Sequence, residues 1–291
     1  MENKSIRPVD SETIMVPTDF TEAAENALKH ALNLAKIFSK KVDLLHVVAD
    51  GRNASAEEDK ALAKMKEIAV TYSSVSGIKI DYWVRRGSIF DAIGEFADEI
   101  DAALVVMGTH GVTGLQHVVG SKALRVITNA NRPFVVVQKK PMREHGFKNI
   151  VLPIDFSKQT KQKLVWAAEL SARFNSEFHI LAAHESDEYA AKAVNNNVAY
   201  AEKYLKDRNC KFSVTHALKG DFTKETMRFS AAVDADLIVI MTNQEKEFAH
   251  YIIGPYEQNV IANDAQIPVM TLNPVDNMKA GGGHLFNFSN Y

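Results

Sequence analysis

The chain has 291 residues, 46% of them hydrophobic and 24% charged, with a formal net charge of -2. At roughly 100–200 residues per domain this length suits about two domains, and a near-neutral balance without a basic stripe argues against a nucleic-acid partner. One cysteine, Cys210, excludes an intrachain disulfide and suits a reducing compartment, and no stretch approaches the roughly 18–20 apolar residues of a membrane helix. The opening MENKSIRPVDSE is polar and lacks the apolar run of a secretion signal, so a cytoplasmic protein without a membrane partner is expected. Cys210 lacks an activating context and reads as a small apolar residue rather than a nucleophile.

In chain order, short apolar runs alternate with longer amphipathic ones. Strands are predicted at Ile14–Val16, Val42–Val48, Lys79–Val84, Leu104–Met107 and Phe134–Gln138. Between the first two, Ala24, Leu28, Ala31, Ala35 and Phe38 recur at helical spacing within Glu22–Ser39. Glu57–Tyr72 reads as a second helix, and Ser88-Ile-Phe-Asp91 resembles a capping box opening Ile89–Ile100. Ser121–Asn129 completes a βαβαβαβαβ unit, the order of a parallel sheet covered on both faces. After a polar linker, Lys139–Lys148, strands follow at Ile150–Pro153, Glu177–Ala183, Lys211–Leu218, Leu237–Met241 and Val269–Leu272. Their helices fall near Lys161–Phe174, Glu188–Asp207, Lys224–Val233 and Gln258–Asn263.

The second series repeats the first. IMVPTDF at Ile14–Phe20 returns as IVLPIDF at Ile150–Phe156, an offset of 136. Asp101–Met107 matches Ala235–Met241 at an offset of 134, and Pro133–Val137 matches Pro268–Leu272 at 135. Near-constant offsets across a whole unit mean duplication, so two tandem domains are expected, 1–142 and 143–291.

Open parallel sheets bind ligands beyond the carboxyl ends of their strands, where the strand order reverses. The first and fourth strands normally flank that point, which selects Pro17-Thr18-Asp19 and the stretch from Gly108 to Gly114. Glycines at 108, 111 and 114, then Gly120-Ser121 opening a helix, let the backbone approach a ligand closely. Successive N–H groups there can cradle an anion, and the helix N-terminus adds free donors and partial positive charge. Asp19 can accept from ribose hydroxyls or a base amino group; the alternative is that it only caps the helix from Thr21. The glycine stretch likewise reads either as a phosphate cradle or as a tight surface turn.

Val16-Pro17-Thr18-Asp19, Leu44-Leu45-His46-Val47 and Met107-Gly108-Thr109-His110-Gly111 through Gly120-Ser121 together resemble the universal stress protein family in its tandem form. The resemblance implies two flavodoxin-like (adenine nucleotide alpha-hydrolase-like) domains, each a five-stranded parallel sheet with helices on both faces. Some members bind ATP and others bind none. It would place Val47 and Met107 near a base, Pro17, Thr18 and Asp19 around base and ribose, and Gly108, Gly111, Gly120 and Ser121 at phosphates. Lys122 either adds a charge there or faces solvent. The expected ligand is ATP or AMP, with Mg as a companion. The family's signature spaces Gly, two residues, Gly, nine residues, Gly and Ser or Thr, whereas here eight residues separate Gly111 from Gly120. Family members pair through their last strands, so an internal pseudo-dimer is expected, with a homodimer as a further option.

In the second copy Gly108, Gly111, Gly114, Gly120 and Ser121 align with Thr242, Glu245, Phe248, Gly254 and Pro255. Proline removes an N–H donor and Glu245 sets a carboxylate where phosphate charge would gather, so no cofactor is expected there. Ten histidines show no HExxH-like spacing, and neither GxSxG nor a Walker motif is present. The tail Gly281–Tyr291 sets three aromatics after a glycine hinge, reading as disorder or as a docking segment. Three functions compete: a cytoplasmic stress sensor or adaptor binding adenine nucleotide in the first unit, a nucleotide-free member working through an unknown protein partner, and an enzyme of nucleotide hydrolysis or transfer, with any ATP hydrolysis expected to be slow.

Overall fold

A computed structural model describes residues 11–109, 121–242 and 254–274. The first half runs β1 (Thr13–Pro17), α1 (Glu22–Phe38), β2 (Lys41–Val48), α2 (Ala54–Ser76), β3 (Ile80–Arg86), α3 (Ile89–Glu99), β4 (Leu104–Gly108), α4 (Ser121–Asn129) and β5 (Phe134–Val137). The second runs β6 (Asn149–Ile154), a 3-10 turn at Lys158–Gln162, α5 (Lys163–Phe174), β7 (Glu177–Ala182), α6 (Glu188–Lys206), β8 (Lys211–His216), α7 (Phe222–Ala232), β9 (Leu237–Met241), α8 (Pro255–Ile261) and β10 (Val269–Leu272). Each half is a parallel α/β sheet of five strands with helices on both faces, the fold class expected from the alternation.

The helix boundaries differ from the sequence reading for local reasons. Helix α2 continues to Ser76 because Gly77, in the left-handed region at φ 72°, is the residue that stops it. Ser88 does cap α3, but its hydroxyl accepts from the Phe90 N–H at 3.2 Å rather than from Asp91. The helix expected from Lys161 opens instead as the 3-10 turn, and α5 starts at Lys163. Helix α8 begins at Pro255, whose missing N–H costs nothing at a first helical position.

The strands form one sheet in the order β3-β2-β1-β4-β5-β10-β9-β6-β7-β8. All neighbours are parallel except β5 and β10, which pair antiparallel through Val136–Val269, Val135–Met270 and Phe134–Thr271. Beyond each of these strands stands one amide side chain. Gln138 donates from Nε2 to the carbonyls of Ile261 and Asn263, at 3.3 and 2.9 Å. Asn273 donates from Nδ2 to those of Ile127 and Ala130, both at 2.6 Å. Each half therefore satisfies the last-helix carbonyls of the other, a buried polar requirement that apolar packing alone would leave unmet.

The linker is not a loose tether. Asn26 Nδ2 donates to the carbonyls of Gln138 and Lys140, at 2.6 and 3.1 Å. His30, fully buried, donates from Nε2 to Lys140 O at 3.0 Å while its Nδ1 has no partner among the described residues, and burial pushes its pKa down, as suits a neutral ring. On the other half, the buried Asp236 carboxylate accepts from the Lys148 and Asn149 N–H groups at 3.0 and 2.8 Å and pairs with Arg143 at 3.1 Å.

Replacing Asn273 by Ala strands two carbonyls at the junction. The expected loss is about 1–3 kcal/mol in urea denaturation with an unchanged m-value; a change within error would remove the amide from the seam's energetics.

Candidate functional site

The strand order reverses between β1 and β4, and their ladder ends early. Strand β1 pairs with β2 over its whole length, from Thr13–Lys41 to Pro17–Leu45, but with β4 only at Ile14–Leu104 and Met15–Val105. Beyond that point the two strands diverge because α1 leaves toward one face and α4 toward the other. The result is a crevice with Pro17 on one lip and Met107-Gly108 on the other. Val47 and Met107 pack into the same core layer as Met15, Leu45 and Val105, so both lie on the face toward α3 and α4.

Pro17, Thr18, Asp19, Val47, Met107 and Gly108 thus share one edge of the sheet. The Thr18 N–H donates to Leu45 O at 2.8 Å, and Thr18 O accepts from His46 Nδ1 at 2.7 Å, which fixes the ring proton on Nδ1. Exposed Asp19 uses Oδ1 to accept from the Thr21 N–H at 3.1 Å and the Thr21 hydroxyl at 2.6 Å. Thr21, not Asp19, is the cap of α1, accepting from the Ala24 N–H. Asp19 braces the capping residue from outside, and its Oδ2 has no hydrogen bond among the described residues.

Gly108 is explained by packing. A Cβ there would lie 2.2 Å from Ala23 O and 2.4 Å from Ala23 C, so only glycine lets the first turn of α1 cross the end of β4. Helix α4 starts at Ser121. Gly111, Gly114 and Gly120 fall outside the described residues, as do His110 and His117, and so do the side chains of Ser121 and Lys122.

The second half shows what became of the same crevice. Strand β6 meets β9 only at Ile150–Leu237 and Val151–Ile238. Ile154 O accepts from the Ala183 N–H on the β7 side, so the preceding carbonyl, that of Pro153, points toward β9. Lys163 Nζ donates to it there. The repeat aligns Lys163 with Ala27, so a buried ammonium stands in the second half where the first has a buried methyl group. Burial pushes the Lys163 pKa down to about 8, with Asp155 opposing the shift. Thr242, at the Gly108 position, has the Cβ that the first half excludes, and there the chain opens with the 3-10 turn rather than a full helical turn. Its hydroxyl donates to Asn273 Oδ1 and away from the crevice. Asp155 keeps the Asp19 geometry, accepting from the Ser157 N–H at 3.0 Å. Glu245 and Phe248 lie outside the described residues, as does the tail Gly281–Tyr291.

Sequence reasoning missed Phe20, His46, Lys64 and Lys163. Phe20 stacks on His46 with ring centroids 4.4 Å apart, and Lys64 Nζ lies 4.4 Å from the Phe20 centroid. The exchange of Ala27 for Lys163 was visible in the aligned copies; nothing in the sequence said that this helix position faces the crevice.

Two substitutions test this geometry. Gly108→Ala forces Cβ into the Ala23 carbonyl and should cost about 1–3 kcal/mol by denaturation. Lys163→Met removes an ammonium whose burial costs about 3 kcal/mol, from a shift of 10.5 to about 8. Between those two pH values the unfolded chain holds the proton that the native amine has shed, so wild-type stability rises with pH there. The variant should be about 1–3 kcal/mol more stable at pH 7, and its advantage should shrink as pH climbs above 8. A constant difference from pH 7 to 10 would refute the assignment.

Comparison with known proteins places the chain. The Universal stress protein family matches residues 11–138 and again 146–273. A universal stress protein of Methanocaldococcus jannaschii is 38% identical over 147 residues, 45% of this chain and 84% of the relative. Universal stress protein G of Escherichia coli O157:H7 is 30% identical over 141 residues, 44% of this chain and 99% of the relative. Each of these relatives corresponds in length to one half of this chain. For the whole chain, the crystal structure of a universal stress protein from Archaeoglobus fulgidus superposes with a TM-score of 0.75, covering 91% of this chain and 99% of that one; at 17% identity it speaks to the fold. Among the described residues no helix is long and apolar enough to cross a membrane. With both halves matched and the sheet order shared by each, the chain belongs to the universal stress protein family, in a tandem arrangement.

Proposed function

We propose that this protein is a cytoplasmic stress-response sensor or adaptor that binds an adenine nucleotide, ATP or AMP, in the first-half crevice alone, and that it works by binding rather than by committed chemistry. The observation that carries this reading is the early end of the β1–β4 ladder, with Pro17, Thr18, Asp19, Val47, Met107 and Gly108 around the gap. An apolar pair on one face suits a base, and the carboxylate of Asp19 suits ribose hydroxyls. The glycine stretch to Gly120, with Ser121 opening α4, supplies the sequence features of a phosphate cradle, to which Lys122 and a Mg ion would add positive charge. The second half, with Lys163 in its crevice, is a structural partner without nucleotide. A nucleotide-free reading, in which the first half also serves only a protein partner, draws on the Gly111–Gly120 interval, one residue shorter than the family signature.

Thermal unfolding with ATP, ADP and AMP, with and without Mg, distinguishes the two. Saturation at about 100 times Kd stabilises by roughly 2.7 kcal/mol, or a rise in Tm of at least about 3 °C for a chain of this size. Gly111→Glu should erase the rise by setting a carboxylate among the phosphates, and Asp19→Ala should reduce it. An unshifted Tm with every nucleotide, for a folded wild-type protein, would favour the nucleotide-free adaptor.

A further inference from the structure

A second cavity lies on the opposite face of the first half. Helices α1 and α2 stand apart over β1 and β2, leaving a groove of about 300 Å³. That is about ten times the volume of a water molecule in the liquid and within the range of small-ligand sites. Leu28, Leu44 and Ile68 form an apolar floor, and Phe20 and Tyr72 line its ends. Helix α2 itself is held by few buried side chains, Ala54, Ala61, Met65 and Ala69.

Two observations separate this groove from an accidental gap. The first is Phe20, whose backbone sits in the left-handed region at φ 64°. That conformation is costly for a bulky non-glycine residue and persists only where surroundings enforce it. Here it turns the aromatic ring over the groove against His46. The counterpart Phe156 has no such twist and is 56% exposed. The second is the other copy. Aligning Ile80 with Phe212 at the start of the third strands brings Ile68 onto Tyr200 and Met65 onto Asn197. Tyr200 carries Lys161 Nζ 4.8 Å from its ring centroid, and Asn197 Nδ2 donates to the carbonyls of Asp155 and Ser157 at 2.8 and 3.0 Å. The larger Tyr200 and the polar Asn197 thus tie α6 to the 3-10 turn and the loop before it, where the first half keeps Ile68 and a gap.

The rim tells the charge of the occupant. Glu25 and Glu67 line it together with Lys64, and Glu25 is already ion-paired with Lys29 on its own helix. Glu25 is held ionised by Lys29 at 2.8 Å and by the Tyr72 hydroxyl at 2.6 Å, and its pKa is lowered accordingly. The Lys64 ammonium lies over the Phe20 ring, on the exposed side of α2, with a four-carbon stem free to swing into water. It marks a position where an aromatic face favours positive charge, on a rim that also carries Glu25 and Glu67.

We propose that the groove between α1 and α2 binds a small amphipathic amine, its apolar body on Leu28, Leu44 and Ile68 and its ammonium over Phe20 beside Glu25 and Glu67, displacing Lys64. The site shares Thr18 and Phe20 with the loop leading to Asp19, so occupancy bears on the crevice, but the inference does not depend on nucleotide binding there.

The test compares 3-phenylpropylammonium with 3-phenylpropanoate, the same body with opposite charge, by titration calorimetry on the full-length protein. Saturable one-to-one binding of the ammonium is expected, with the carboxylate about tenfold or more weaker. Ile68→Tyr, which installs the counterpart residue, should abolish ammonium binding. Glu67→Lys lies on the exposed rim, where folding is not at stake, and should reverse the preference for charge. Equal affinity for the two probes, no saturable binding of the ammonium, or affinities unchanged in Glu67→Lys would overturn the proposal.

Discussion

Neighbouring strands β1 and β4 send their helices to opposite faces of the sheet, and the candidate site follows from that divergence. A parallel ladder holds only while the strands run side by side, and helices departing in opposite directions pull the carboxyl ends apart after Met15 and Val105. The gap is therefore a property of the topology, present in both halves, and needs no special residue to open it. What distinguishes the halves is what stands in the gap. In the first, Ala27 and Gly108 are small enough for α1 to pass close by. In the second, Lys163 and Thr242 occupy the equivalent positions.

The same contrast recurs on the other face, where Ile68 gives way to Tyr200 and Met65 to Asn197. The two copies have kept one frame and diverged in side-chain volume at the places where the frame leaves room. Burying Lys163 is expensive, since its charge loses water and gains chiefly a backbone carbonyl and the nearby Asp155.

Much of the frame was legible because it rests on periodicity and repetition. The apolar runs at Val42–Val48 and Leu237–Met241 and the matched PTDF and PIDF segments specify strands, order and duplication without tertiary information. Pro17, Thr18, Asp19 and Gly108 could be assigned to one edge because topology alone brings strand ends together, whereas Val47 and Met107 came from the family resemblance. The reasons for individual residues were less legible. Gly108 was read for its approach to a ligand, whereas its first requirement is the carbonyl of Ala23, a contact between elements far apart in sequence. Phe20 gives no sign in the sequence of its left-handed backbone, and a helical wheel puts Ala27 and Lys163 on a buried face without saying that the face borders a gap. The linker read only as polar, yet Asn26, His30 and Asp236 bind it through its backbone, an acceptor and donor set present in every sequence.

The antiparallel meeting of β5 and β10 within one chain has a consequence for evolution. Two identical subunits joined by a two-fold axis must carry identical crevices, so a mutation that blocks one blocks both. Covalent joining lifts that symmetry: dilution cannot separate the halves, and each is free to change alone. A lysine can settle in one gap while the equivalent position beside the other keeps an alanine.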